Sequence, residues 1–380
     1  MVDEVPEKEG SYFPHPPVQR FTSGVYPDHQ ALVAASQDIL KENYPRYSRF
    51  GTPVTDAVEQ EVTRLEGGYG SLCVCSGLAA ITSTFLALLR PGDHILVNRS
   101  VYEPVRRFIN IYLSQRGVSA TFLSSSEFMD CDQYFEENTA LVYIESPSSN
   151  VFEVTDIECV VTQAQKRNIV VVMDNTWSTP LLINPIKHGV DIVIHSASKY
   201  LSGHSDAVAG IITTTEKSFS PLRKYLMMAG ICSGGEESFS IYKGLKTLGV
   251  RLDAQANSAS KIIELLNSHP SVGTVLAPQL ITHPDHGTYK KYYKKYNGVF
   301  SFSVACASDK KRDNFLAGFK LFKLAYGWGG VDSCIIPFTL MHFLPSDPTQ
   351  LFFRVSIGLE ECDLLMADFK RALSVLQDEE

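Results

Sequence analysis

The chain has 380 residues, enough for one large core or for two to three domains. It is 44% hydrophobic and 20% charged, with a net charge of −8, an ordinary globular balance that disfavours a nucleic-acid binder, which needs a cationic surface. Eight cysteines are scattered without a CxxC pair, so neither a zinc site nor a disulfide framework is expected, and free thiols suit a reducing compartment.

The start "MVDEVPEKEG" is acidic and lacks the apolar segment of a signal peptide, and no apolar run approaches a membrane span. A cytoplasmic protein is therefore expected, with no membrane partner and no nucleic-acid partner. Residues 1–30 are rich in Pro and aromatics, and an extended N-terminal arm is expected over 1–44. "TPVTDAVEQEVTRLEGG" predicts a helix. Pro53 stands just inside its start, Gly67 just past its end, and Val54, Val58, Val62 and Leu65 on one face. Cys73 and Cys75, two apart, read as one face of a strand and as small buried side chains. "GLAAITSTFLALLRPGD" predicts a second helix. "HILVN" (94–98), "SATFL" (119–123) and "ALVYIES" (140–146) read as strands. "TDIECVVTQAQKRN" opens with a capping box from Thr155 to Glu158 and continues as an amphipathic helix. "IVVVMDN" (169–175) and "DIVIHS" (191–196) are continuous apolar runs, which suit parallel strands covered on both faces.

This alternation predicts an α/β domain over 45–240 with a mostly parallel, doubly wound sheet. A smaller C-terminal α+β domain is expected over 241–380, from the helix "NSASKIIELLNSHP", the strands "GVFSFSVAC" and "FFRVSIGLE", and a last amphipathic helix. "YKKYYKKY" (289–296) is the one basic cluster and reads as a solvated face. His195, His204, His283 and His286 have no metal-ligand spacing and read as ordinary polar histidines.

In open parallel sheets, ligands sit beyond the carboxyl ends of the strands. The residues at those ends are Ser76-Gly77, Tyr102, Glu145-Ser146, Asp174-Asn175 and Ser196-Ala197-Ser198-Lys199. A lysine delivered by an apolar strand through a Ser-x-Ser turn is partly buried, and burial lowers an ammonium pKa. Such an amine attacks carbonyls and forms Schiff bases, the chemistry used by pyridoxal 5'-phosphate (PLP). That cofactor also needs an acid at its ring nitrogen, for which Asp174 is the candidate, and a phosphate cradle. Ser196 and Ser198 offer hydroxyls, while Gly77 and Leu78 open a helix with free N–H groups. Two other chemistries fit less well. Ser196 to Lys199 also matches the Ser-x-x-Lys of serine acylases, but the downstream Ser-Asp-Asn and Lys-Thr-Gly strings are replaced by Ser205-Asp206-Ala207 and Lys246-Thr247-Leu248. No Gly-x-Gly-x-x-Gly follows a strand, which argues against a dinucleotide fold.

"SASKYLSGHSDAVAG" closely resembles the PLP-lysine motif of the transsulfuration (cysteine/methionine metabolism) enzymes, and the resemblance runs from about residue 44 to 375. It implies the fold type I architecture of PLP-dependent transferases, with Lys199 holding the cofactor and acting on the substrate. "YSRFGTP" resembles a segment whose Tyr47 and Arg49 reach the cofactor phosphate of a neighbouring subunit. "CSGLAAI" resembles the phosphate-cradling helix start, "VYEPVRRF" the segment carrying the ring-stacking Tyr102, and "MDNTW" the one carrying Asp174. "FFRVSIGLE" carries Arg354, which resembles the clamp for a substrate α-carboxylate. Tyr102 and Tyr47 are the two candidates for deprotonating the incoming amine. "ESPSSNVFEV", "AYGWGGVDS" and Trp177 in "DNTW" are similar to the branch that cleaves at the β-carbon, the cystathionine β-lyases. Trp328 is expected to wall the substrate site there, beside Gly327, where typical members have serine. The resemblance implies a small sulfur amino acid as substrate and a homodimer that completes the active site, paired into a tetramer. A γ-lyase or γ-synthase of the same fold, a serine acylase or a silent scaffold are the alternatives.

Overall fold

The computed structural model describes residues 15–36, 47–305, 308–340 and 350–376; the rest of the expected arm, 1–14 and 37–44, lies outside the described residues. Strands β1 (Gly70–Val74), β2 (His94–Asn98), β3 (Ser119–Leu123), β4 (Thr139–Glu145), β5 (Val170–Asp174), β6 (Ile192–Ser196) and β7 (Gly210–Thr214) form one sheet in the order β1-β7-β6-β5-β4-β2-β3. Every pairing is parallel except those of β7, which runs against both β1 and β6. The expected α/β class with a mostly parallel sheet and a smaller C-terminal part is the one observed. The spacing of Cys73 and Cys75 only hints at β1, and β7 is not predicted, because "GSLCV" and "GIITT" are short, Gly-containing runs without clear alternation.

The continuous apolar runs have the predicted cause. Val171 and Met173 of β5 pack into a core with Val58 and Val62 of helix Pro53–Glu66, whereas Val172 faces a second core with Ile81 and Phe85 of helix Gly77–Leu88. Each fully buried valine contributes about 1.5–3 kcal/mol. Helix Pro53–Glu66 matches its signals at both ends. The Thr52 hydroxyl accepts from Thr55 N at 3.3 Å, and Gly67 takes φ +71°, which a side chain would strain.

The details differ in three places. Asp156, not Thr155, caps helix Ile157–Gln165, accepting from Cys159 N at 3.1 Å. Thr155 is buried and accepts from Asn98 Nδ2 instead. In 289–296 the lysines face solvent, but Tyr289, Tyr292 and Tyr293 are buried, and Tyr289 and Tyr293 stack 5.0 Å apart beneath Trp177. Cys73 is a buried thiol, raised well above its usual pKa by burial and then by Glu59 and Asp56, whereas Cys75 lies past the strand end and is exposed.

One 34-residue helix, Gly235–Ser268, runs through residues 240–241 and leads to a second sheet. Its strands are β8 (Val272–Leu276), β9 (Val299–Ala305), β10 (Lys323–Leu324), β11 (Cys334–Phe338) and β12 (Gln350–Ser356), in the order β10-β11-β12-β9-β8. Phe353 of β12 stacks on Phe302 at 5.6 Å, within a cluster that includes Phe369 of helix Cys362–Ser374. By the period of two, Arg354 emerges on the opposite face, paired in register with Ile336. No helix among the described residues is long and apolar enough to cross a membrane.

Candidate active site

Register brings the expected residues to one sheet edge. Glu145 pairs with Asp174, Asp174 with Ile194, and both Ser196 and Val74 with Gly210. Beyond β6 the chain turns sharply: Lys199 N donates to Ser196 O at 3.1 Å, and Gly203 N to Lys199 O at 2.8 Å. Arg251 locks this turn from behind, donating to Tyr200 O at 2.9 Å and to Gly244 O at 2.8 Å. The Lys199 amine lies 5.5 Å from the centre of the Trp328 ring and has no carboxylate in ion-pair reach among the described residues. Burial, and then the positive charge of Arg354, bring its pKa down to about 8.

Asp174 is buried at the end of β5. Its Oδ1 accepts from Thr176 N at 2.9 Å, and its Oδ2 from the Tyr143 hydroxyl at 3.4 Å. Burial raises its carboxyl above the usual range, against the hydrogen bonds of Thr176. The Thr176 hydroxyl in turn accepts from Ser196 N at 2.8 Å, so one side chain ties β5 to β6. Glu145 sits beside Asp174. It accepts from Tyr102 N at 2.8 Å and from the Ser149 hydroxyl at 2.5 Å, and burial and Asp174 raise its carboxyl. Tyr102, 47% exposed, is thus fixed by its backbone; burial and then Glu145 raise its phenol, which keeps it protonated.

The start of helix Gly77–Leu88 abuts Ser196. Ser76 caps it, accepting from Ala79 N at 3.0 Å, and the Gly77 and Leu78 amides ahead of it have no hydrogen-bond partner among the described residues, so they could meet a ligand. A Cβ on Gly77 would stand 2.6 Å from Ser196 Cβ and 2.7 Å from its Oγ. Only glycine permits this approach. Gly77→Ala is expected to destabilise the chain by about 1–3 kcal/mol and to weaken PLP binding, read by thermal unfolding and cofactor titration; an alanine variant with wild-type values would show the helix start to be adjustable. Ser198 holds the backbone of Ala209, donating to its O at 3.2 Å and accepting from its N at 3.0 Å.

Arg354 reaches the same edge from the second sheet. Its guanidinium donates to Tyr326 O at 2.7 Å and approaches Asn150 Oδ1 at 3.5 Å, both neutral acceptors. Burial lowers its pKa to about 10. Asn150 takes φ +63°, a left-handed conformation uncommon outside glycine. Trp328 packs edge-on against Tyr200 at 5.5 Å. Trp177 is a core residue, donating from its ring nitrogen to Val299 O at 3.2 Å. Tyr47 and Arg49 do not join this cluster within one chain. Arg49 donates to Met227 O at 2.8 Å and lies over Phe50, and Tyr47 is 45% exposed.

Sequence reasoning misses Thr176, Tyr143 and Asn150, and it places Glu145 at a strand end without giving it a task. Thr176 has a readable signal: it stands two residues after an aspartate, the spacing of an Asx turn.

The profile of the Cys/Met metabolism PLP-dependent enzymes matches residues 7–374. This chain belongs to that family. It is 35% identical over 370 residues to a putative cystathionine β-lyase of Rhizobium johnstonii, covering 95% of this chain and 91% of that one. It is 34% identical to a cystathionine γ-lyase of Bacillus subtilis, covering 86% and 88%. A solved structure of cystathionine γ-synthase from Xanthomonas oryzae pv. oryzae superposes with a TM-score of 0.86 at 27% identity, covering 96% and 94%. The family cofactor is PLP, and its substrates are small amino acids. The residues present fit that group: an amine of lowered pKa, a buried carboxylate on the strand next to a glycine-walled cradle, and free amides at a helix start.

Proposed function

We propose that this enzyme is a carbon–sulfur β-lyase that cleaves L-cystathionine to homocysteine, pyruvate and ammonia, the route toward methionine, and that accepts other cysteine S-conjugates. The observation that carries the substrate class is Arg354. It is a half-buried cation beside Lys199 whose partners among the described residues are neutral, so a substrate carboxylate is the partner it lacks. Cleavage at the β-carbon is favoured by the Trp328 ring against the Lys199 amine and by the β-lyase relative.

Bound at this edge, PLP supplies an aldehyde for amine attachment and a ring that takes up the electron pair of the breaking Cα–H bond. The chain's own residues do the rest. Lys199 would anchor the cofactor and, as a free amine, would accept the Cα proton. Arg354 grips the carboxylate bidentately and so fixes which bond at Cα faces Lys199. Asp174 holds the ring nitrogen protonated. Tyr102, its backbone fixed by Glu145, would stack on the ring. Gly77, Leu78, Ser196 and Ser198 would hold the phosphate. Tyr47 and Arg49 of a neighbouring subunit complete that contact in a dimer, paired into a tetramer. The thiolate leaves from Cβ with the bonding electrons, and the remaining three-carbon fragment hydrolyses to pyruvate and ammonia.

A coupled assay with cystathionine should give pyruvate and homocysteine in equal amounts. 2-Oxobutyrate and cysteine as products would instead assign γ-cleavage, which the γ-lyase relative keeps as the second reading. Run at falling protein concentration, the same assay should lose specific activity as the assembly dissociates. Full activity in a separated monomer would rule out the shared site.

A further inference from the structure

Behind the strand ends lies a cluster of ionisable and polar groups that the chemistry above does not use. Glu66, at the end of helix Pro53–Glu66, is fully buried, as is His195 of β6. His195 Nε2 stands 2.5 Å from Glu66 Oε1, and Asn175 Nδ2 donates to the same oxygen at 2.9 Å. Asn175 also donates to Ile183 O at 3.2 Å, and its backbone N donates to Ile194 O at 2.8 Å. Glu66 Oε2, His195 Nδ1 and Asn175 Oδ1 have no hydrogen-bond partner among the described residues. An unfinished polar cluster in a core is a poor way to gain stability, because apolar side chains of similar volume do as well or better. Its position suggests another reason. Asn175 directly follows Asp174, and His195 directly precedes Ser196. The Thr176 hydroxyl closes the loop, linking the turn after Asp174 to Ser196 N. His195 and Asn175 therefore grip, from the rear face of the sheet, the two strand tips whose front faces carry the ring-nitrogen and phosphate candidates.

We propose that Glu66, His195 and Asn175 form a positioning brace that sets the spacing and orientation of Asp174 and Ser196, and so fixes the tilt and affinity of bound PLP. The brace rests on the roles proposed for Asp174 and Ser196. Glu66 also links it to helix Pro53–Glu66, whose start follows Tyr47 and Arg49 by a few residues, and Asn184 Nδ2 anchors the end of that helix through Leu65 O at 2.7 Å.

The test compares His195→Gln and Glu66→Gln with the wild-type holoenzyme. Both variants keep hydrogen-bonding groups of similar size but lose the imidazole–carboxylate pair. The dissociation constant of PLP is measured by titrating apo-enzyme, and the tilt of the bound ring by its induced visible circular dichroism. Each variant should bind PLP at least tenfold more weakly and show less than half the dichroism per bound cofactor. Far-UV spectra should be those of wild type, and substrate KM at saturating PLP should stay within about threefold. Wild-type affinity and dichroism in correctly folded variants would overturn the brace. Should either variant fail to fold, Glu66→Asp, which keeps the charge and shortens the reach, must show the same losses for the brace to stand. Asp174→Asn is run in parallel. If it too leaves affinity and dichroism unchanged, the assignment of Asp174 is at fault; if it alone changes them, the brace is.

Discussion

Lys199→Met should abolish turnover and yet make the apo-protein more stable at neutral pH. The loss of turnover follows from the loss of the anchoring amine and of the group that accepts the Cα proton, worth at least about 10²–10⁴-fold in kcat. The gain in stability follows from burial. The Lys199 pKa falls from 10.5 to about 8 on folding, so the folded chain carries a charge it would rather lose. At neutral pH the amine is protonated in both states and the cost is fully present. Between about pH 8 and 10.5 the unfolded chain binds more protons than the folded one, so wild-type stability rises with pH across that window. Methionine has similar length and no charge, and should remove a cost of about 2–3 kcal/mol together with that pH-dependent rise. Thermal unfolding of apo-protein at pH 7 and pH 10 reads both. Added PLP should reverse the order, because only wild type can anchor it covalently and so gains the larger binding energy. An apo variant less stable than wild type at pH 7 would mean that Lys199 is an ordinary solvated lysine.

This opposition between stability and use also marks what the sequence could disclose. The strand ends were legible because a buried parallel strand must be continuously apolar, and its run breaks at Ser196 or Asp174 where the sheet ends. Helix Pro53–Glu66 was legible because Pro, a 3.6-residue stripe and Gly are local signals. The partners of the site residues were not local. Thr176 joins β5 to β6, Glu145 joins β4 to Tyr102, and Glu66 meets His195 across 129 residues of sequence. Such pairings exist only once the strand order is known, and β7, the strand that reverses direction, had no clear pattern of its own. His195 read as an ordinary polar histidine for the same reason. Nothing near it in sequence names a carboxylate partner. Trp177 and Trp328 look alike as sequence signals, but Trp177 packs on the tyrosines of 289–293 and only Trp328 meets Lys199.

Arg354 separates two effects that a single alanine variant would merge. It is the candidate clamp for the substrate carboxylate, and its charge is the second cause, after burial, of the lowered Lys199 pKa. Arg354→Ala should lose about 10²–10³-fold in kcat/KM, the 3–4 kcal/mol typical of removing one member of a buried charge pair, with most of the change in KM. Arg354→Lys should recover less than about tenfold of this, because a single ammonium cannot reproduce the planar fork. The second effect is read without substrate. A protonated lysine cannot attack an aldehyde, so the rate at which apo-enzyme captures PLP should climb with pH through about 8 in wild type. Arg354→Lys keeps a positive charge nearby and should leave that midpoint in place. Arg354→Ala removes the positive charge that helps lower the lysine and should move the midpoint to higher pH. Geometry would then be lost in both variants and the electrostatic setting of Lys199 in only one. Equal midpoints in all three proteins would show that burial alone sets the lysine, and that Arg354 serves the substrate only.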